Sequence, residues 1–216
     1  ILSIYYYTKM KKILSFLLLM ILSNQGLSYP SIQTLYDNKD YLLIEQTSLP
    51  IVDLSLTIKS GSREDHKLKG LTSFSIKLLE KQSINGSKII DAFEEIGAEY
   101  TSRVNKETSE ITIRFLSSDA NFEKVSSLLN ALLKHQQVTP DMINDLKEKF
   151  IKSIKERDIN PASILSYRSD EIFFDNLSGY KHPVQGYKSD IEMIALNDVK
   201  LKLDSILKVG NINVNL

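Results

Sequence analysis

Three side chains on one predicted helix, Ser73, Ile76 and Lys77, have the spacing of a metal site without its chemistry. They lie in residues 70–80, GLTSFSIKLLE, which predict a helix of about three turns ahead of an Asn85-Gly86 break. On such a helix the three positions share one face. The same spacing occurs in the zinc motif H-x-x-E-H, where two His side chains hold the metal and the Glu activates water. A hydroxyl, an alkyl group and an ammonium can do neither.

An ordered series of short motifs surrounds this helix. In chain order they are Pro50-Ile51-Val52, Gly61-Ser62-Arg63-Glu64, Gly70-Leu71, Phe74, Asn85-Gly86-Ser87, Ile96-Gly97-Ala98, Glu107-Thr108, and His182-Pro183 with Gly186. Together they resemble the first domain of the insulinase-like (pitrilysin, M16) zinc peptidases, over most of the chain after residue 30. The resemblance implies that Ser73 and Lys77 stand where the family has its zinc histidines. It places Ile76 where the family has its catalytic Glu.

The resemblance also implies a third ligand, a Glu on a later helix shortly before a Pro. With Pro161 as that Pro, the ligand position falls at or near Ser153, which carries no carboxylate. Glu148 and Glu156 are the nearest acids, and either would supply only one ligand of three. The resemblance therefore implies a lost zinc site, with no catalytic residue, metal or other cofactor. The alternative, that residues 70–80 form an ordinary amphipathic helix of an unrelated domain, stays open.

Composition argues against several other functions. The 216 residues carry 27 Lys and Arg against 27 Asp and Glu, with no basic stripe, so no nucleic-acid partner is expected. Cysteine is absent, which excludes disulfides, thiol catalysis and thiolate metal sites. His66, His135 and His182 are isolated from one another, and none is expected to bind a metal. By the resemblance, His182-Pro183 is a structural turn.

Residues 10–28 have the pattern of an export signal. Met10-Lys11-Lys12 is basic, residues 13–22 are apolar, and Gly26-Leu27-Ser28 offers small residues for cleavage. The apolar run is too short to span a bilayer comfortably, and an uncleaved amphipathic anchor is the alternative. We therefore expect translation to start at Met10 and the protein to be exported to the bacterial periplasm, with no stable membrane span after cleavage. The expected division is residues 1–28, an extension with the signal, and residues 29–216, a single domain.

The predicted secondary structure places strands first and helices after. Strands are predicted over residues 32–36, 41–45, 51–58, 99–104 and 110–116. Helices are predicted over 70–80 and 88–96, after a cap at Ser118 or Asp119, after a cap at Thr139, and over 162–174 and 196–207. The apolar positions of the two middle helices are Phe122, Val125, Leu128, Leu129 and Leu132, then Ile143, Leu146, Phe150 and Ile154. This order indicates an α+β fold, an antiparallel sheet packed on one face by helices. Ser153 follows Leu146 by seven residues, so it faces roughly the same way as that stripe. By the resemblance, this side looks toward the 70–80 helix.

The predicted function combines the resemblance with the lost ligands. We expect a catalytically inactive homologue of the M16 metallopeptidases, exported as the non-catalytic partner of a zinc-bearing M16 subunit in peptide processing or degradation. A peptide is the expected ligand. Members of the family usually carry a second domain of similar fold, which we expect to be absent here. Two alternatives stay open: a free-standing peptide-binding or scaffold domain, and a truncated remnant of a decaying gene.

Overall fold

The structure, a computed structural model, describes residues 31–33, 41–45, 48–84, 86–134, 137–174 and 178–216. The chain divides into two compact units, Ile1–Ser31 and Ile32–Leu216. The predicted export signal, the boundary after residue 28 and His135 lie outside the described residues. No helix within the described ranges is long and apolar enough to cross a membrane.

Eight strands form two sheets in the described part of the chain. They are β1 (Ser31–Gln33), β2 (Tyr41–Glu45), β3 (Ile51–Ile58), β4 (Ser83–Ile84), β5 (Ser87–Lys88), β6 (Glu99–Val104), β7 (Ser109–Leu116) and β8 (Ile212–Asn215). Six of them form the main sheet in the order β1-β2-β8-β3-β7-β6, so β6 is an edge strand. β4 and β5 form a separate small hairpin.

The main sheet has one packed face and one polar face, as the alternation of its residues predicts. β3 and β7 pair antiparallel so that Leu54 lies opposite Ile113, and both side chains are buried. One residue along, Asp53 lies opposite Arg114 on the other face, and their ion pair is 2.7 Å long. Successive side chains of a strand point to opposite faces, so the predicted hairpin of β6 and β7 places its apolar residues against the core.

Eight α-helices lie in the described ranges, most of them near the predicted bounds. They are α1 (Leu71–Leu79), α2 (Ile89–Glu94), α3 (Asp119–Lys134), α4 (Pro140–Ile159), α5 (Pro161–Phe173), α6 (Ser178–Lys181), α7 (Lys188–Met193) and α8 (Leu196–Ile206). Short 3-10 turns cover Ser62–Glu64 and Val209–Asn211. The Thr139 side chain caps α4 by accepting the N–H of Met142, and all four predicted buried positions of α4 are buried.

One predicted core position of α3 is wrong. Val125 and Leu132 are buried, as predicted. Phe122 is 46% exposed, because it lies in the first turn of the helix, where its ring contacts Phe115 at a centroid distance of 6.2 Å. The helix therefore enters the core only from its second turn onward.

The predicted order of strands and then helices is also wrong at the end of the chain. β8 follows the last helix and inserts between β2 and β3, pairing parallel with β2 and antiparallel with β3. Its four residues carry too short an alternation to be recognised, and its partners lie far away in sequence. The fold class, an α+β domain with an antiparallel sheet packed by helices, is confirmed.

Candidate functional site

A buried carboxylate, Asp65, fixes the start of α1. It is 2% exposed, and its Oδ2 accepts the N–H of Gly70 at 3.1 Å. Its Oδ1 accepts the Thr72 N–H at 3.0 Å and the Thr72 hydroxyl at 2.6 Å. Burial raises the pKa of Asp65, while the Thr72 hydrogen bonds and the Lys202 ammonium, 3.6 Å away, oppose this. Sequence reasoning missed Asp65, because it lies five residues before Gly70, the N-cap residue, and so outside the position where a capping Asp is expected.

Two glycines bring the start of α1 against the loop that carries His182-Pro183. Gly70 and Gly186 have φ angles of 92° and 72°, a region that favours glycine. A Cβ on Gly70 would collide with the Gln185 carbonyl, and one on Gly186 would collide with the Lys69 carbonyl. The loop and the helix thus meet backbone to backbone, which sets the position of Gln185 relative to α1.

The buried side chain of His182 helps to hold the same loop in place. Its side chain is buried, with Nδ1 3.0 Å from the Pro183 carbonyl oxygen. Burial lowers the pKa of His182. The Lys106 ammonium donates to the carbonyl oxygens of Tyr180, at 2.7 Å, and of His182.

The four positions that the resemblance assigns to the zinc site meet in one cavity of about 410 Å³. Ser73, Ile76 and Lys77 reach it from α1, and Ser153 reaches it from α4. The remaining lining residues are Glu80, Lys81, Ser102, Arg103, Val104, Leu146, Lys149, Phe150 and Gln185. Phe74 of α1 packs edge-on against Phe150 of α4 at a centroid distance of 5.2 Å, which holds the two helices together. The predicted approach of Ser153 to the 70–80 helix is confirmed.

The polar groups of the cavity bond to one another. Lys77 Nζ lies 2.8 Å from Glu80 Oε1 and 2.7 Å from Glu80 Oε2. Glu80 also accepts the Ser102 hydroxyl at 2.7 Å. Gln185 Nε2 donates to Ser153 Oγ at 3.3 Å. Sequence reasoning missed Glu80, although its position three residues after Lys77 on a helix is a known ion-pair spacing.

This donor set does not fit zinc. Zinc sites use the side chains of Cys, His, Asp and Glu, and the cavity offers one such group, Glu80, already paired with Lys77. Ile76 is 1% exposed and fills the position between Ser73 and Lys77 with an alkyl group. In the part of the chain that the structure describes, no three His, Cys, Asp or Glu side chains are grouped to hold a metal ion.

The other predicted candidates lie away from the cavity lining. Glu148 and Glu156 are exposed on α4, and His66 is exposed before α1. Lys149, on the same helix as Glu148, is exposed and also lines the cavity. The neighbouring Lys149 side chain lowers the pKa of Lys81, and burial lowers it further.

Comparison with known proteins gives one family match for the sequence. A sequence model of the family described as insulinase (peptidase family M16) matches residues 41–178. No curated protein matches the chain.

Three solved structures illustrate the likeness in fold. An inactive peptidase M16 domain from Pseudomonas fluorescens matches with a TM-score of 0.78 and 21% identity, over 86% of this chain and 46% of that one. A protease from Helicobacter pylori matches with a TM-score of 0.75 and 17% identity, over 87% and 46%. The periplasmic protease PqqL from Escherichia coli matches with a TM-score of 0.74 and 11% identity, over 81% and 20%.

At these identities the likeness shows the fold alone, and the chain spans about half the length of the first two structures. The family match is the stronger finding, since it covers more than half of the chain and runs from β2 through α5. The protein therefore belongs to the insulinase family, peptidase family M16.

Proposed function

We propose that the protein is a catalytically inactive M16 domain that binds peptides as the exported partner of a zinc-bearing M16 subunit. The observation that carries the proposal is the convergence of Ser73, Ile76, Lys77 and Ser153 in one cavity, with neither an imidazole nor a carboxylate among them. The fold around the cavity is retained, whereas the metal donors are replaced.

The chemistry of the side chains at these four positions does not suit peptide hydrolysis. Zinc peptidases need a group that accepts the proton of the attacking water, and Ile76 can accept none. A protonated Lys77 would repel a divalent cation at the same place. Ser73 and Ser153 offer neutral hydroxyls, which are not among the ligands that zinc uses in proteins.

Peptide binding is supported by the strand and the apolar side chains that border the cavity. β6 is the last strand of the described sheet, and Ser102 and Val104 of β6 line the cavity. An edge strand has backbone groups that can hydrogen-bond to an extended peptide. Val104, Leu146 and Phe150 provide apolar surface for its side chains.

The partner role is supported by exposed apolar side chains around α5. Leu165, Ile172 and Phe173 are 70%, 76% and 81% exposed, and Ile159, just before α5, is 80% exposed. Clusters of this kind often mark an interaction surface. A second M16 subunit is the occupant that we propose for this surface.

Export is supported by the pattern of residues 10–28. The similar protease from Escherichia coli is described as periplasmic. Fractionation of bacterial cells expressing the full chain, followed by sequencing of the mature N-terminus, tests this point. A cytoplasmic protein that retains residues 10–28 would contradict export.

Metal content and hydrolysis test the central claim. The purified full chain should contain no stoichiometric zinc after dialysis, and its hydrolysis of unfolded peptides should equal that of buffer. A zinc-bearing M16 peptidase, assayed in parallel, shows that the assay detects activity. One zinc per chain, or a chelator-sensitive hydrolysis by this chain alone, would refute the proposal.

A further inference from the structure

The cavity carries more positive charge than the neutral chain as a whole would suggest. Three lysines line it, Lys77, Lys81 and Lys149, against a single carboxylate, Glu80. Lys77 forms an ion pair with that carboxylate. Lys81 and Lys149 form no ion pair inside the cavity, although the Glu80 charge also acts on Lys81.

Lys81 and Lys149 are also close to each other. Both line the cavity, and the Lys149 side chain lowers the pKa of Lys81, so the two side chains interact. The ion pairs of the described residues include neither of them. Two like charges held side by side repel each other, and an anion placed between them would relieve that repulsion.

Arg103 is not counted in this cluster, although it lines the cavity. Arg103 lies on β6 between Ser102 and Val104, and it is opposite Glu110 of β7 in the register of the hairpin. Side chains of a strand alternate between faces, so the Arg103 side chain belongs to the polar face with Glu110. The positive charge inside the cavity therefore comes from α1, from the residues just after it and from α4.

The shape and lining of the cavity favour a peptide over a small inorganic anion. A volume of about 410 Å³ accommodates several side-chain groups. The apolar residues Ile76, Leu146 and Phe150 lie in the same lining as Lys81 and Lys149. A ligand with an apolar part next to a carboxylate matches both the apolar residues and the lysines of the lining.

We propose that the cavity binds an acidic peptide segment and places an Asp or Glu carboxylate of that segment between Lys81 and Lys149. This preference rests on the proposed peptide-binding function and gives it a substrate class. The two lysines would then supply positive charge near the position that zinc occupies in the active members of the family.

Binding of matched labelled peptides to the full chain tests this assignment. Three short peptides share one apolar framework and differ only in carrying Glu, Gln or Lys at the same positions, and fluorescence anisotropy measures the Kd of each. The Glu peptide should bind most tightly, and its advantage over the Gln peptide should shrink as ionic strength rises. Free glutamate, used as a competitor, should displace the Glu peptide only weakly.

Substitution of the two lysines locates the site. Lys81→Gln and Lys149→Gln should each weaken binding of the Glu peptide by about two- to fivefold, the range for one solvent-accessible ion pair. Lys149→Glu should reverse the preference, so that the Lys peptide binds better than the Glu peptide. Lys155→Gln is the matched control, because Lys155 is an exposed lysine of the same helix that does not line the cavity.

The outcomes separate this inference from the proposed function. Equal binding of the Glu and Gln peptides would overturn the carboxylate preference and leave peptide binding intact. Binding of none of the three peptides would overturn both. A loss of affinity in Lys155→Gln as large as in Lys149→Gln, or displacement by free glutamate at the peptide's own concentration, would also overturn the assignment. Circular dichroism of each variant confirms that it is folded.

Discussion

At the residue scale, four side chains of the cavity, Ser73, Ile76, Lys77 and Ser153, stand where the resemblance places three zinc ligands and the catalytic Glu. Restoring the donors should restore metal binding, because the backbone that positions them is retained. We expect Ser73→His, Ile76→Glu, Lys77→His and Ser153→Glu together to bind zinc at one ion per chain after dialysis. The variant without Ser153→Glu should fail to hold zinc, because it lacks the third ligand.

The three-substitution variant is the control for that experiment, since it differs only by the carboxylate at position 153. Equal zinc retention in the two variants would contradict the placement of the third ligand. Glu80 is the competing carboxylate in that case, because Lys77→His releases it from its ion pair with Lys77.

Also at the residue scale, His182 should make stability depend on pH. Burial lowers its pKa below 6.5, with smaller effects of Lys69 and Lys106 in the same direction, opposed by the Pro183 carbonyl and Asp65. The unfolded chain then takes up the proton first as pH falls. The free energy of unfolding should therefore decrease as pH falls from about 6.5 towards the pKa of the folded state, and the loss should level off below it.

Denaturant unfolding across this pH range measures the effect. The variant His182→Asn should lack the pH-dependent loss, whatever its stability at neutral pH. His66→Asn should keep the loss, because His66 is exposed and outside the loop. The prediction would be contradicted if the free energy of unfolding fell equally with pH in the wild-type protein and in His182→Asn.

At the element scale, the contact between α1 and the loop before α7 should tolerate no side chain. Gly186 and Gly97 have similar φ angles, 72° and 68°, but only Gly186 lies against another backbone segment. Gly97→Ala should cost about 1–2 kcal/mol of unfolding free energy, the penalty for a left-handed residue. Gly186→Ala should cost about 1–3 kcal/mol more, because the Lys69 carbonyl must move.

Urea unfolding of both variants decides this point. Equal losses of stability would show that the loop moves aside freely. A shift of the loop should also disturb the cavity, because Gln185 donates to Ser153 from the residue just before Gly186.

Strands and helices with clear local signals, such as alternation, helical spacing or a capping residue, were predicted correctly. The bounds of β3 are those predicted, and α4 begins at the Thr139-Pro140 cap with its buried stripe as expected. The convergence of α1 and Ser153 was also predictable, through helical spacing and the resemblance. These features depend on residues close together in sequence or on known motifs.

Other features depend on pairings that spacing does not reveal. β8 is stabilised by β2 and β3, which lie at the opposite end of the sequence. Asp65 caps α1 from outside the helix, and the approach of Lys81 to Lys149 exists only once the helices pack. Such contacts could not be predicted without the tertiary structure.

At the scale of the whole molecule, the apolar surface of α5 should mediate association. Leu165 and Ile172 are seven residues apart and lie on one side of α5, with Phe173 next to Ile172. All three are more than two-thirds exposed. Single exposed apolar residues are common, whereas several on one short helix leave a surface that another chain can cover. We therefore expect the full chain to self-associate in the absence of a partner subunit.

Light scattering coupled to size-exclusion chromatography, over a dilution series, measures this association. The double variant Ile172→Lys with Phe173→Ser should shift the full chain towards monomer, because it introduces a charge and removes an aromatic ring from the surface. Leu201→Lys is the control, since Leu201 is 60% exposed on a different helix and should leave association unchanged. A wild-type protein that stays monomeric at high concentration would contradict a role for α5 in self-association. Equal effects of the two variants would show that α5 is not the surface involved.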